Sequence, residues 1–260
     1  MDEAPLLFDR AGRVATLTMN RPAARNALDR DLLLAIVRAF ADVEADLDVR
    51  AVVLTGSGGS FCAGADLKKG MAEGLGQDMG ARIDEFHGVI RAIVSARVPV
   101  VAAVDGGAVG FGSDLALACD LRVLSSRAYL QEKFVQIGLM PDGGGTYSLP
   151  RLVGTGRALE LLLLGEKITA ELALGLGLAN RVVDTEQLPE AARELAGRIA
   201  DGPPLAIAAI KRAVRQGWAD GLDAALAREK AGQVELLKSQ DVLTGVMAWM
   251  QGRKPEFAGR

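Results

Sequence analysis

A short apolar run that ends in a glycine-rich turn and then enters a helix narrows the fold of this chain more than any other feature. Ala51-Val52-Val53-Leu54-Thr55 runs into Gly56-Ser57-Gly58-Gly59. Val100 to Val104 runs into Asp105-Gly106-Gly107-Ala108-Val109-Gly110-Phe111-Gly112, ahead of a helical Ser113 to Ala118. Continuous apolar runs of this length read as strands covered on both faces. A looser third instance places a strand at Leu121 to Leu124 and lets Ile137 to Leu139 lead into Pro141-Asp142-Gly143-Gly144-Gly145-Thr146. The recurrence predicts an α/β fold wound from successive strand, turn and helix units.

The flanking segments fit that plan. Val14 to Met19 reads as a strand that Asn20-Arg21-Pro22 breaks. From Asp29 to Leu47 the apolar residues Leu32, Ile36, Ala39, Phe40, Val43 and Leu47 form one helical stripe, and Met79, Ile83, Phe86, Ile90 and Ile93 form another that Val98-Pro99 stops. Beyond about Leu152 the chain looks all-α, with helices over Ala158 to Leu164, Ala170 to Leu176, Leu188 to Ala200, Leu205 to Gln216, Leu222 to Lys238 and Val242 to Met250. Leu161 to Leu164 is apolar all round, which suggests a face covered by another copy of the chain.

Composition excludes several function classes. The 260 residues carry 30 Lys+Arg against 33 Asp+Glu, a net charge of -3 with no sustained basic run, so nothing supports a charge-driven hold on nucleic acid or anionic lipid. Two cysteines, Cys62 and Cys119, and a single histidine, His87, cannot furnish a disulfide framework or a four-ligand zinc site, and no metal is expected. Met1 to Arg10 has no apolar core of a signal peptide, and no apolar run approaches the ~20 residues that span a bilayer, so a cytoplasmic protein is expected.

The glycine turns also carry the candidate chemistry. A turn that feeds a helix points unpaired N–H groups outward, where negative charge is favoured. Gly110-Phe111-Gly112 is one such place, and Phe61-Cys62-Ala63-Gly64-Ala65-Asp66-Leu67 is a second. Two N–H groups converging on one point would hold a carbonyl oxygen as it becomes anionic.

These two segments, F-C-A-G-A-D-L at Phe61 to Leu67 and Asp-Gly-x-Ala-x-Gly-x-Gly followed by Leu-Ala-Leu-Ala-Cys-Asp-Leu-Arg between Val104 and Arg122, resemble the two signatures of the enoyl-CoA hydratase/isomerase (crotonase) superfamily. Asn20-Arg21-Pro22 with Asn26-Ala27-Leu28, the Pro141 to Thr146 turn, Leu149 to Gly154 and the tail Arg253 to Phe257 are similar to family segments in order and spacing. The resemblance implies a wound ββα core over residues 1–195, a helical trimerisation region over 196–260, and activity on acyl-CoA thioesters as a homotrimer or dimer of trimers. Coenzyme A would enter as part of the substrate, with no separate cofactor. Carried over by position, the oxyanion donors are the amides of Ala65 and Phe111, the latter standing where glycine is usual. CoA would be met by Arg25, by the backbone of Ala63, Gly64, Ala65, Asp66 and Leu67, and by Lys254 and Phe257 of the tail, contributed by a neighbouring subunit in one arrangement.

The acids decide the reaction. Family hydratases use two glutamates to hold and activate water. The first position matches Asp114, and the second matches Phe134, which transfers no proton; both it and Glu132, two residues away, are expected at the acyl pocket. If Tyr129 onward is extended, Glu132 shares the face of Phe134. Asp142 matches a catalytic aspartate of family isomerases, and it also suits an ordinary turn. Asp114 equally suits a helix start. Three readings follow: an isomerase with Asp142 as base and Asp114 assisting, a hydratase using Asp114 with Glu132, or a CoA-binding protein without a working base. His87 reads as a helix-flank side chain, Cys62 and Cys119 as packing, and Arg151 and Asp120 as members of structural ion pairs.

Overall fold

The computed structural model describes residues 4–72 and 78–260. Its main sheet contains β1 (Leu6–Ala11), β2 (Val14–Met19), β3 (Ala51–Gly56), β4 (Val100–Val104), β6 (Leu121–Ser125) and β9 (Arg181–Val183), hydrogen-bonded in that order. β1 and β2 form an antiparallel hairpin and every later pairing is parallel. A second, small sheet joins β5 (Gly107–Val109), β7 (Tyr129–Gln131) and β8 (Ile168–Thr169).

Each apolar run in β3 and β4 serves two layers, because successive side chains point to opposite faces. Val52, Leu54, Val100, Ala102 and Val104 join a core with α1 (Arg30–Ala45) and α3 (Met79–Ser95), through Leu32, Ile36, Phe40, Phe86 and Ile93. Ala51, Val53, Val101 and Ala103 face α8 (Leu188–Ala200), through Leu188, Ala192, Ala196 and Ala200. Full burial of each large aliphatic side chain contributes about 1.5–3 kcal/mol, so the two-sided cover favours apolar residues along the buried part of these strands. Helix starts are set locally: Asp29 and Asp78 accept from the amides of Leu32 and Ala81, the N-cap bond that opens α1 and α3.

The remaining helices are α2 (Leu67–Ala72), α4 (Phe111–Ala118), α5 (Gly145–Val153), α6 (Thr155–Leu164), α7 (Ala170–Gly175), α9 (Pro204–Gly217), α10 (Leu222–Leu236) and α11 (Gln240–Met250). The last third is not all-α: β8 and β9 interrupt it, and β9 extends the main sheet beside β6. Both are two or three residues long, too short to show a period of two. In the third unit the strand expected at Leu121 to Leu124 is β6, and a short 3-10 turn at Lys133–Ile137 precedes the Pro141 turn. Residue 195, the expected division, falls inside α8, which packs as one piece across the sheet. None of the described helices is long and apolar enough to cross a membrane.

Asp120 makes the ion pairs expected of it, 2.7 Å to Lys211 and 2.9 Å to Arg215, and so ties α9 to the sheet. Arg151, read as an ion-pair member, instead lies 3.8 Å over the Tyr147 ring. Cys62 and Cys119 are fully buried, and burial pushes both thiols up to about 12.

Candidate active site

The two glycine segments meet by backbone pairing. Cys62 donates to the Gly107 carbonyl at 3.0 Å and Val109 donates to the Cys62 carbonyl at 2.9 Å, a parallel bridge that fixes the first segment against β5. On its other side Leu28 donates to Gly64 and Asp66 donates to Leu28, at 2.8 and 2.9 Å. The approach is close enough to require glycine at two positions. A Cβ on Gly64, at φ 91°, would stand 2.8 Å from the Val109 carbonyl and 3.5 Å from the Phe111 amide, and one on Gly112 would overlap the Cys62 carbonyl.

This packing uses several of the neighbouring donors. Ala63 donates to Arg25, Gly110 to Gln131, and Ser113 and Asp114 to Gly110. The amides of Ala65 and Phe111 have no backbone acceptor among the described residues. Phe111 is the first residue of α4, where its N–H lies at the positive end of the helix dipole, and its φ is negative, so a side chain is tolerated where glycine is usual. The ring turns into the core, edge-on to Phe86 at 4.9 Å. Beside the pair opens a cleft of about 450 Å³, lined by Leu28 and Phe86 together with Arg30, Arg82 and Glu85.

Three carboxyl groups collect at the Pro141 to Gly145 turn. Asp114, one helical turn after Phe111, is 1% exposed and accepts from the Gly143 amide at 2.9 Å. Glu132 is also 1% exposed, and a Cβ on Gly145 would stand 3.2 Å from its Oε2 and overlap Asp114 Oδ1. Asp142 is half-buried, with its Oδ1 enclosed and unpartnered. Asp114 Oδ1, both Glu132 oxygens and Ser113 Oγ are buried without a hydrogen-bond partner. Burial first, and then the charge of Glu132, push Asp114 well above the usual carboxylate range, against the pull of the Gly143 amide. Burial pushes Glu132 up to about 7, opposed by the nearby Ser113 and reinforced by Asp142. Asp142 is raised by burial too, and His87 works against the rise. Like charges gathered in one buried site oppose one another's ionisation.

Residues 9–260 match the family model described as enoyl-CoA hydratase/isomerase. The chain belongs to that family. It is 42% identical over 251 residues to a probable enoyl-CoA hydratase of Rhodobacter capsulatus, covering 95% of each chain. It is 36% identical to the 1,2-epoxyphenylacetyl-CoA isomerase of Escherichia coli, again over 95% of each. Among solved structures, an enoyl-CoA hydratase from Polaromonas sp. JS666 superposes with a TM-score of 0.94 at 34% identity, over 97% of this chain and 99% of that one. The fold is that of the crotonase superfamily, and the protein is an acyl-CoA enzyme of the hydratase/isomerase type.

Within this hydratase/isomerase family member, the structure brings Ala65, Phe111, Asp114, Glu132, Phe134 and Asp142 together. The Phe134 ring, 8% exposed, lies 3.8 Å from where a Cβ on Gly110 would sit. Glu132 does not reach the site by strand alternation with Phe134: β7 ends at Gln131 and the chain turns into the 3-10 helix, burying both side chains. Arg25 is exposed in a left-handed turn, φ 51°, beside the Ala63 amide. Asp66 is held by Arg21 at 3.0 Å, and Leu67 is exposed at the start of α2. Burial works against Asp66 ionising, yet the Lys69 amide and Arg21 keep its carboxyl below the ordinary value.

The tail residues lie elsewhere in the same protomer. Lys254 pairs with Asp201 at 2.6 Å, while Phe257 touches Gly245 and its carbonyl accepts from Arg50. Arg50 precedes β3 and the first glycine segment follows it, so the tail is at the far end of a strand about 20 Å long. Sequence reasoning missed His87, whose Nε2 stands 2.9 Å from the Asp142 carbonyl oxygen, and Ser113 beside Glu132. Neither residue type announces such a role from its place on a helix alone.

Proposed function

We propose that this enzyme moves the double bond of an enoyl-CoA, with the thioester oxygen between the Ala65 and Phe111 amides and Asp142 as the base. Two N–H donors aimed at the oxygen stabilise the dienolate, which makes the carbon-bound proton acidic. Asp142 takes that proton from one carbon and returns it to another, because the dienolate stays held meanwhile. Asp114, disfavoured as an anion, would remain protonated beside the chain and assist as a neutral donor. The observation that carries this reading is the enclosed, unpartnered Oδ1 of Asp142 on the same turn whose next amide binds Asp114.

A second reading, hydration of a 2-enoyl-CoA by Asp114 and Glu132, is favoured by the unpartnered Glu132 carboxyl against the glycine that Asp114 also touches. It would replace the missing acid at Phe134 from two residues upstream. CoA would be received by Arg25 and the Ala63 to Leu67 backbone, with Lys254 and Phe257 supplied by a neighbouring protomer of a homotrimer or dimer of trimers in the cytoplasm.

The test offers the enzyme a 3-enoyl-CoA and, separately, a 2-enoyl-CoA, and follows the conjugated thioester absorbance. Appearance of the signal from the first substrate means isomerase, and its loss from the second means hydratase. The isomerase reading expects Asp142→Asn to lower kcat about 10²- to 10⁴-fold while Asp114→Asn costs less. The reverse order would refute it. No change with either substrate, despite retained affinity for CoA, would mean neither reaction is the physiological one.

A further inference from the structure

One peptide plane in the site is held at both ends. The peptide that joins Asp142 to Gly143 presents its carbonyl oxygen 2.9 Å from His87 Nε2 on α3 and its amide 2.9 Å from Asp114 Oδ2 on α4. A carbonyl oxygen only accepts, so Nε2 carries the proton in this contact. The peptide group is planar, so two anchors on opposite edges fix its orientation. That orientation sets the ψ angle of Asp142, and with it the direction in which its carboxylate leaves the backbone.

The chain entering the turn is open to solvent, while beyond the peptide the Gly144 carbonyl accepts from the Tyr147 and Ser148 amides. Leu139 and Met140, just before it, are 57% and 69% exposed, and Gly144, just after it, sits at φ 95° in open space. Without these anchors an aspartate on a turn entered by an exposed segment would spend much of its time in unproductive directions. The anchor from α3 is itself stiff, because the adjacent Phe86 packs edge-on against Phe111. Two consecutive residues of one helix thus support an oxyanion donor and the peptide of the base.

We propose that His87 is a positioning residue, which holds the Asp142 carbonyl so that the Asp142 carboxylate points at the reacting carbons. The inference rests on the reading of Asp142 as the base. Among the described residues, the charged groups near the imidazole are Asp84 on its own helix, 3.8 Å from Nδ1, Arg91 one turn further along it, and across from it Asp142, with Asp114 and Glu132 beyond.

The experiment compares His87→Leu, His87→Gln, Asp142→Asn and the His87→Leu/Asp142→Asn double variant of the full chain, with 3-enoyl-CoA as substrate. Gln places an N–H donor where Nε2 stood, without a charge. His87→Leu is expected to lose about 10- to 100-fold in kcat at an unchanged KM, the scale of a misaimed catalytic group, and His87→Gln to recover most of it. In both, the limb of the pH profile that belongs to Asp142 should move to higher pH, since the imidazole no longer favours the carboxylate. The double variant should be no slower than Asp142→Asn, because His87 acts only through that side chain. A wild-type kcat in His87→Leu, or a double variant well below Asp142→Asn, overturns the positioning role while leaving Asp142 as base. Wild-type activity in Asp142→Asn overturns both. Should His87→Leu fail to fold, His87→Asn, too short to reach the carbonyl, takes its place with the same expectations.

Discussion

Glu132 shows how far a single side chain can be read before its neighbours are known. Its sequence position two residues from Phe134 raised the question of a second acid, and face alternation was the only tool to answer it. The chain stops being extended at Gln131, so alternation does not apply, and burial among Ser113, Asp114 and Gly145 is a tertiary fact. That burial has a stability consequence. The folded carboxyl titrates at about 7 against an ordinary value near 4.5, so the native state binds more protons than the unfolded chain between these values. The contribution is therefore fully present below about pH 4.5 and is lost as pH rises through 7. Glu132→Gln should remove this loss, making the variant more stable than wild type at pH 8 by up to about 3 kcal/mol, with the gap closing at pH 5. Melting temperatures of both proteins at the two pH values check it, and a pH-independent difference would remove the buried anion from the account. Asp114 and Asp142, by contrast, were visible from their motifs, although a helix start and a turn would have explained them equally well.

Among the elements, the decisive packing is that of α4 against the first glycine segment. Strand, turn and helix are all visible in the sequence, because buried strands and glycines leave composition signals. That Gly112 lies on the Cys62 carbonyl is a contact between segments 50 residues apart, and nothing local encodes it. Gly112→Ala should force the two segments apart, costing about 1–3 kcal/mol of stability by overpacking. The same shift would misplace the Phe111 amide and lower kcat on the order of 100-fold. Urea unfolding and turnover of the 3-enoyl-CoA measure the two effects. A variant with native stability and turnover would show that the approach is looser than described. The short strands β8 and β9 escaped the sequence because two or three residues cannot display a period, and β9 is defined only by the partner strand it joins.

At the scale of the whole molecule, the helices after α8 leave a large apolar surface uncovered. Leu222, Leu243, Trp249 and Met250 are 74%, 66%, 82% and 75% exposed in the single chain, which is unusual unless another surface covers them. The expected outcome is that the 27.2 kDa chain runs as three or six copies in light scattering, and that Trp249→Asp with Met250→Asp yields smaller species with weaker CoA affinity. A wild-type monomer with full activity would end this expectation and the assignment of Lys254 and Phe257 to a neighbour's site. The sequence by itself determined the layered α/β order, the two amide-bearing turns and the family, because these depend on local composition, glycine and motif spacing. Only the tertiary structure decided which acids lie together, what His87 touches, and where the tail lies, because each is a meeting of distant segments whose partners no local pattern names.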